Sequence, residues 1–213
     1  MKNAYKLLGY YNYTVVLTYI GMITGYLGIV CAFTGETTQA VVCLMIAGLC
    51  DMFDGTIAST RKRTSAERCF GIQIDSLSDL ICFGVLPAAI VVGGKPESTL
   101  VLGLSALYLL CALIRLAYFN VDEQERQQSE SSSREIYYGL PVTLSALFLP
   151  LCYAMGTLWG WNNQANLTAL LGVMSVLFLA PFPLKKPRLI GKLCVVLWGI
   201  LEIALVLFAC LDV

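Results

Sequence analysis

Histidine is absent from all 213 residues of this chain. Its absence removes Ser-His and Cys-His catalysis and His-ligated zinc, and it leaves carboxylates as the acid–base groups. Charge is also scarce. Asp, Glu, Lys and Arg together make up 13% of the sequence, about half the share usual in a soluble domain. The 14 basic residues balance the 14 acidic ones, so there is no basic footprint for nucleic acid. The nine cysteines stand singly, none of them in a CxxC pair. That spacing argues against zinc and redox sites and for small hydrophobes in an apolar interior. The N-terminal MKNAYKLLGYYNYT is too polar and tyrosine-rich for a signal peptide, so the first apolar run is expected to remain as a mature helix.

What the chain does have is apolar length. It is 58% hydrophobic with a mean hydropathy of +0.75, which places it among polytopic membrane proteins. Seven runs are long enough, or nearly so, to cross a hydrocarbon core of about 30 Å: 14–33, 38–58, 71–93, 98–119, 139–159, 164–184 and 190–211. The expected fold is all-α, a polytopic membrane helix bundle. Twelve of the 14 basic residues fall on one side if the N-terminus is cytoplasmic. They include Lys2, Lys6, Arg61, Lys62, Arg63, Arg68, Arg126, Arg134, Lys186 and Arg188. Lys95 alone lies opposite, and the positive-inside rule favours this orientation. Trp159 and Trp161 then anchor the outer end of the fifth run. The inner stretch 121–137, rich in Glu, Gln and Ser, reads as a mobile connection. Gly21-x3-Gly25 reads as close helix packing, and the same spacing would serve a homodimer. Glu202 stands alone in the last run, where a hydrogen bond between helices or protonation would satisfy it.

Four aspartates interrupt this apolar pattern: Asp51 and Asp54 in the second run, Asp75 and Asp79 in the third. An aspartate at the centre of a membrane helix costs roughly 2.5–3.5 kcal/mol, so four without partners cost about 10–14. The spacings i,i+3 and i,i+4 put each pair on one helix face. The basic loop RKRTSAER between the runs is short, so the two helices are expected to be antiparallel neighbours that bring all four carboxylates together near the inner surface. Gly55 and Gly71 remove side chains where a ligand or the partner helix approaches. Oxygen donors without histidine suit a hard cation such as Mg²⁺ or Mn²⁺, and four carboxylates can hold two ions, an arrangement suited to displacement at phosphorus. The structural alternative is helix capping, or pairing with Arg61, Lys62, Arg63 and Arg68. Arg115, near the inner end of the fourth run, can bind phosphate or carboxylate bidentately or snorkel to the interface. Asn120 can bind substrate or cap the start of a loop.

The run Asp51-x2-Asp54-Gly55-x2-Ala58, followed by Gly71-x3-Asp75-x3-Asp79, resembles the signature of the CDP-alcohol phosphatidyltransferase family, D-x2-D-G-x2-A-R-x8-G-x3-D-x3-D. Seven of its eight fixed positions are present. Ser59 stands where the signature has arginine, and the interval from Ala58 to Gly71 is three residues longer. Arg61 or Lys62 is the nearest candidate to carry the missing charge. GIQIDSLSDLICFGVLPA, RLAYFNV from Arg115 and YYGLPVT from Tyr137 are similar to the phosphatidylserine synthase branch, with Tyr118 in place of a usual arginine. The likeness covers most of residues 12–145.

The resemblance implies a single membrane domain over residues 1–213, with its motif region at 51–79. It would have a six-helix catalytic core plus a seventh transmembrane helix at about 190–211. It implies a multi-pass protein of a bacterial cytoplasmic membrane, with its active site facing the cytoplasm. The reaction implied is transfer of a phosphatidyl group from CDP-diacylglycerol to L-serine with release of CMP. Asp51, Asp54 and Asp75 would be metal ligands, and Asp79 a fourth ligand or the general base. Gly55 and Ala58 would line the cytidine–diphosphate pocket, with Gly71, Arg61, Arg115 and Asn120 close to substrate. Two alternatives remain at this stage. The acceptor can be glycerol 3-phosphate, or inositol or its phosphate. In a different class, the aspartates can form the ion path of a cation transporter, although such proteins more often show broken helices or paired repeats.

Overall fold

A computed structural model of the chain describes residues 8–93, 98–129, 136–185 and 189–211. The positions Lys2, Lys6, Lys95, Ser131, Arg134, Lys186 and Arg188 lie outside these residues. The described part is a bundle of α-helices. In chain order they are α1 (Val16–Phe33), α2 (Thr37–Ser59), α3 (Ser65–Asp79), α4 (Leu86–Val92) and α5 (Thr99–Ser129), then α6 (Ser145–Leu158), α7 (Asn163–Leu179) and α8 (Leu189–Leu211). A π-helical segment, Leu80–Val85, joins α3 to α4 into one continuous rod. Four helical stretches are long and apolar enough to cross a membrane: Tyr13–Phe33, Thr37–Ser59, Ser65–Val92 and Thr99–Glu125. The molecule is a polytopic helical membrane protein.

Several boundaries differ from the expected ones, each for a local reason. The third rod begins at Ser65 instead of residue 71 because Thr64 and Glu67 form a reciprocal capping box. The stretch 121–137, expected to be a mobile connection, is helical as far as Ser129. Its Glu, Gln and Arg residues are good helix formers, so α5 continues past its apolar part. The fifth run is helical from Val142 only; Pro141 precedes it in extended conformation. Ile136–Tyr138 (β1) instead pairs antiparallel with Pro183–Lys185 (β2).

Helix packing follows from small residues. A Cβ on Gly21 would lie 3.2 Å from Cys50 Cβ, one on Gly25 2.6 Å from Cys82 Sγ, and one on Gly28 2.8 Å from Cys43 Cβ. These glycines let α1 lie directly against α2 and the π segment, and the stripe is covered within the chain. The core continues through Leu44, Phe83, Leu86, Tyr108, Leu149, Leu171 and Phe178, all essentially inaccessible. Outward-facing residues such as Ile23, Leu27, Leu100, Leu110 and Val176 are apolar and exposed, as a lipid-facing surface requires.

The π segment has an identifiable cause. Pro87 cannot donate the helical bond to the carbonyl of Phe83, and its ring crowds that carbonyl. The backbone widens just before the proline, and the buried Tyr108 hydroxyl donates to the Phe83 carbonyl at 2.6 Å. Asp79 is the last α-helical residue ahead of this widening.

Candidate metal and phosphate site

The hairpin of α2 and α3 brings the four aspartates to one cavity. Asp54 faces Asp75, and Asp51 faces Asp79, each pair in side-chain contact. That pairing, inner with inner and outer with outer about the connecting loop, is what antiparallel helices produce. Carboxylate oxygens of Asp51, Asp54 and Asp75 lie within 4.8 Å of one another, close enough to share a metal ion. The cavity is partly open and is completed by Thr18 and Gly21 from α1, Ser78 from α3, and Cys50, Cys82 and Phe83. Its hard donors are carboxylates and hydroxyls, and the Cys82 thiol is directed to the Gly21 carbonyl at 3.4 Å. This donor set fits a hard dication.

Thr18 and Ser78 were not among the residues singled out from sequence. The Thr18 hydroxyl donates to Asp54 Oδ2 at 3.0 Å and so orients one carboxylate. Ser78 approaches the Thr18 carbonyl at 3.5 Å and ties α3 to α1. Ser78 lies three residues after Asp75, so helical spacing alone can place it on the same face. No sequence spacing links Thr18 to Asp54.

The other expected residues are distributed around this cavity. A Cβ on Gly55 would meet no protein atom within 4 Å, so the space beside it is open instead of filled by the partner helix. Ala58 is half-buried on the same helix. Gly71 has a defined neighbour: a Cβ there would lie 3.1 Å from Arg63 Nη1. Arg61 pairs with Glu67 at 3.5 Å and lines a second cleft with Tyr10, Tyr11 and Asn12. Asn120 is within α5 instead of at a loop start; it accepts from the Ser76 hydroxyl at 2.7 Å and so ties α5 to α3 beside Asp75.

Arg115 does not snorkel. It is 7% exposed, donates from Nε to the Leu140 carbonyl at 3.4 Å, and its guanidinium stands 5.7 Å from the Phe119 ring centroid. Gly139 makes this possible, with φ +74° and no room for a Cβ beside the carbonyls of Phe178 and Ala180. The segments around Arg115 and Tyr137, distant in sequence, are thereby brought together. Glu202 is buried and accepts from the Trp198 indole one turn earlier in α8.

With the two aspartate pairs in one cavity, comparison with known proteins is decisive for the family. The model of the CDP-alcohol phosphatidyltransferase family matches residues 11–208. The chain belongs to the CDP-alcohol phosphatidyltransferase family. Among its relatives is a CDP-diacylglycerol–serine O-phosphatidyltransferase of Saccharomyces cerevisiae, 34% identical over 149 residues, covering 64% of this chain and 53% of that protein. An archaetidylserine synthase of Methanothermobacter thermautotrophicus is 27% identical over 192 residues, 90% of this chain and 76% of the relative. A CDP-diacylglycerol–serine O-phosphatidyltransferase of Helicobacter pylori is 33% identical over 132 residues, 60% of this chain and 52% of the relative. The chain thus spans about half the length of the yeast and Helicobacter proteins it matches.

Proposed function

We propose that this protein is a phosphatidylserine synthase, which transfers the phosphatidyl group of CDP-diacylglycerol to the hydroxyl of L-serine. The observation that carries the reading is the convergence of Asp51, Asp54, Asp75 and Asp79 on one cavity, in a family member whose relatives named above share serine as acceptor. The cavity is narrow between the aspartates and open on one side, too small to enclose a nucleotide. Cations would be held between the carboxylates, with the diphosphate at the open side. The cytidine would lie outside, toward Gly55 and Ala58, and the acyl chains in the surrounding lipid.

Asp51, Asp54 and Asp75 are the residues that would hold Mg²⁺ or Mn²⁺, with two ions if Asp79 contributes. Such cations, when bound, neutralise the diphosphate and stabilise the departing phosphate of CMP. Thr18 keeps Asp54 turned into the cavity, a type of support whose loss typically costs 10–100-fold, on the order of one to two decades, in metal affinity. Asp79 takes the proton from the serine hydroxyl. The serine oxygen then bonds to the lipid-linked phosphorus, the bond from that phosphorus to the CMP oxygen breaks, and CMP leaves with the electron pair. With the hairpin loop 60–64 facing the cytoplasm, as the positive charge of Arg61, Lys62 and Arg63 favours, soluble serine and CMP have direct access.

The test is CMP release by purified protein from CDP-diacylglycerol with Mn²⁺ or Mg²⁺, compared across L-serine, glycerol 3-phosphate and inositol phosphate. Serine alone is expected to support turnover, and EDTA to abolish it until metal is restored. Turnover with a phosphorylated acceptor but not with serine would reassign the acceptor. Full activity after exhaustive chelation would refute the metal role of the aspartates.

A further inference from the structure

Ser59, at the C-terminal end of α2, is exposed and its hydroxyl is turned back to the Thr56 carbonyl at 2.7 Å. It brings no positive charge to the cavity. Of the basic residues that follow, Arg61 is engaged by Glu67, and Lys62 is exposed. Arg63 is different. It is half-buried, immediately precedes the Thr64 cap, and folds back along α3. Its Nη1 comes to 3.1 Å from where Gly71 would carry a Cβ. Among the described residues Arg63 has no ion pair, whereas Arg61 is paired with Glu67.

Gly71 lies four residues before Asp75 on the same face of α3, and helical side chains lean toward the N-terminus of their helix. Asp75 is therefore one helical turn beyond the residue that the Arg63 guanidinium covers, and the two form no ion pair. Any larger residue at 71 would push the guanidinium away. A planar guanidinium one helical turn from a metal-binding carboxylate, able to make two parallel bonds, is suited to phosphate.

We propose that Arg63, seated on Gly71, is the cation that binds the diphosphate of the cytidine-diphosphate lipid donor, in the role that neither Ser59 nor Arg61 is placed to fill. This rests on the proposed phosphatidyltransferase reading, and the experiment separates the two. Binding of CDP-diacylglycerol in detergent with Mn²⁺ and no serine is measured for the wild type, Arg63→Ala and Arg63→Lys. The KM for each substrate is then measured by CMP release. Arg63→Ala is expected to weaken lipid binding and raise the lipid KM by about ten- to hundredfold. The serine KM should stay within about twofold of the wild type, and Arg63→Lys, which keeps charge without the fork, should fall between. Unchanged lipid binding in Arg63→Ala beside a wild type that binds would overturn the assignment and leave the proposed function standing. A rise in the serine KM instead would overturn it in favour of an acceptor contact. A wild type that does not bind CDP-diacylglycerol would refute the proposed function itself.

Discussion

At the scale of single residues, the four aspartates differ in position in ways that separate their roles. Asp54 is anchored by Thr18 and shares its donor atoms with Asp51 and Asp75, whereas Asp79 lies at the end of α3, against Asp51. Asp79→Asn is expected to retain metal and lipid binding but to lose proton abstraction, a loss of typically about 10²–10⁴-fold in rate. Asp54→Asn should weaken metal binding instead, since a neutral oxygen is a poorer ligand for a hard dication. Excess Mn²⁺ should therefore rescue Asp54→Asn in part and leave Asp79→Asn inactive in the CMP-release assay. Equal rescue of both would make Asp79 a fourth ligand and place the base elsewhere. The aspartates themselves were legible, because their cost in a membrane helix singles them out. Thr18 was not, because a threonine in an apolar run carries no such cost and its partner lies 36 residues away.

At the scale of elements, the rod made of α3, the π segment and α4 decides where Asp79 points. Pro87 is visible in the sequence, but the compensation for its missing N–H comes from Tyr108 on α5. Tyr108→Phe keeps the ring and its packing on Phe178, 5.3 Å away between centroids, and removes only the hydroxyl. The Phe83 carbonyl is then left short of a partner in a dry interior. We expect a loss of about 1–3 kcal/mol in stability, read as a lowered unfolding midpoint in detergent, together with reduced turnover as Asp79 loses its fixed register. An unchanged midpoint would show that another donor satisfies the carbonyl. Helix boundaries were legible wherever a polar signal marks them, as Thr64-x-x-Glu67 does for α3. The extension of α5 to Ser129 was obscured because its polar composition suits a solvated helix and a loop equally well.

At the scale of the molecule, the bundle has polar residues gathered at one end of α2 and α3 and paired tryptophans at the far end of α6. Trp159 and Trp161 are stacked with ring centroids 5.3 Å apart, and both are exposed. If the aspartate end is cytoplasmic, a membrane-impermeant maleimide applied from outside should label Trp161→Cys in an otherwise cysteine-free protein. It should not label a variant retaining only the exposed Cys69 until the membrane is permeabilised. The reverse pattern would invert the bundle and put the site on the wrong side for cytoplasmic serine.

The sequence by itself determined the helical membrane class, the antiparallel hairpin and the meeting of its two aspartate pairs. Each of these follows from hydropathy or from spacing along one or two adjacent helices, and such periodicity is local. The tertiary structure alone decided what surrounds the pairs. It turned Thr18 onto Asp54, buried Arg115 under the Gly139 turn, and set Tyr108 against the carbonyl that Pro87 leaves open. It also engaged Arg61 with Glu67 and laid Arg63 on Gly71. These contacts join residues whose separation in the chain says nothing about their distance in space. They depend on how closely glycines let helices approach and on which buried polar groups need a partner once water is excluded.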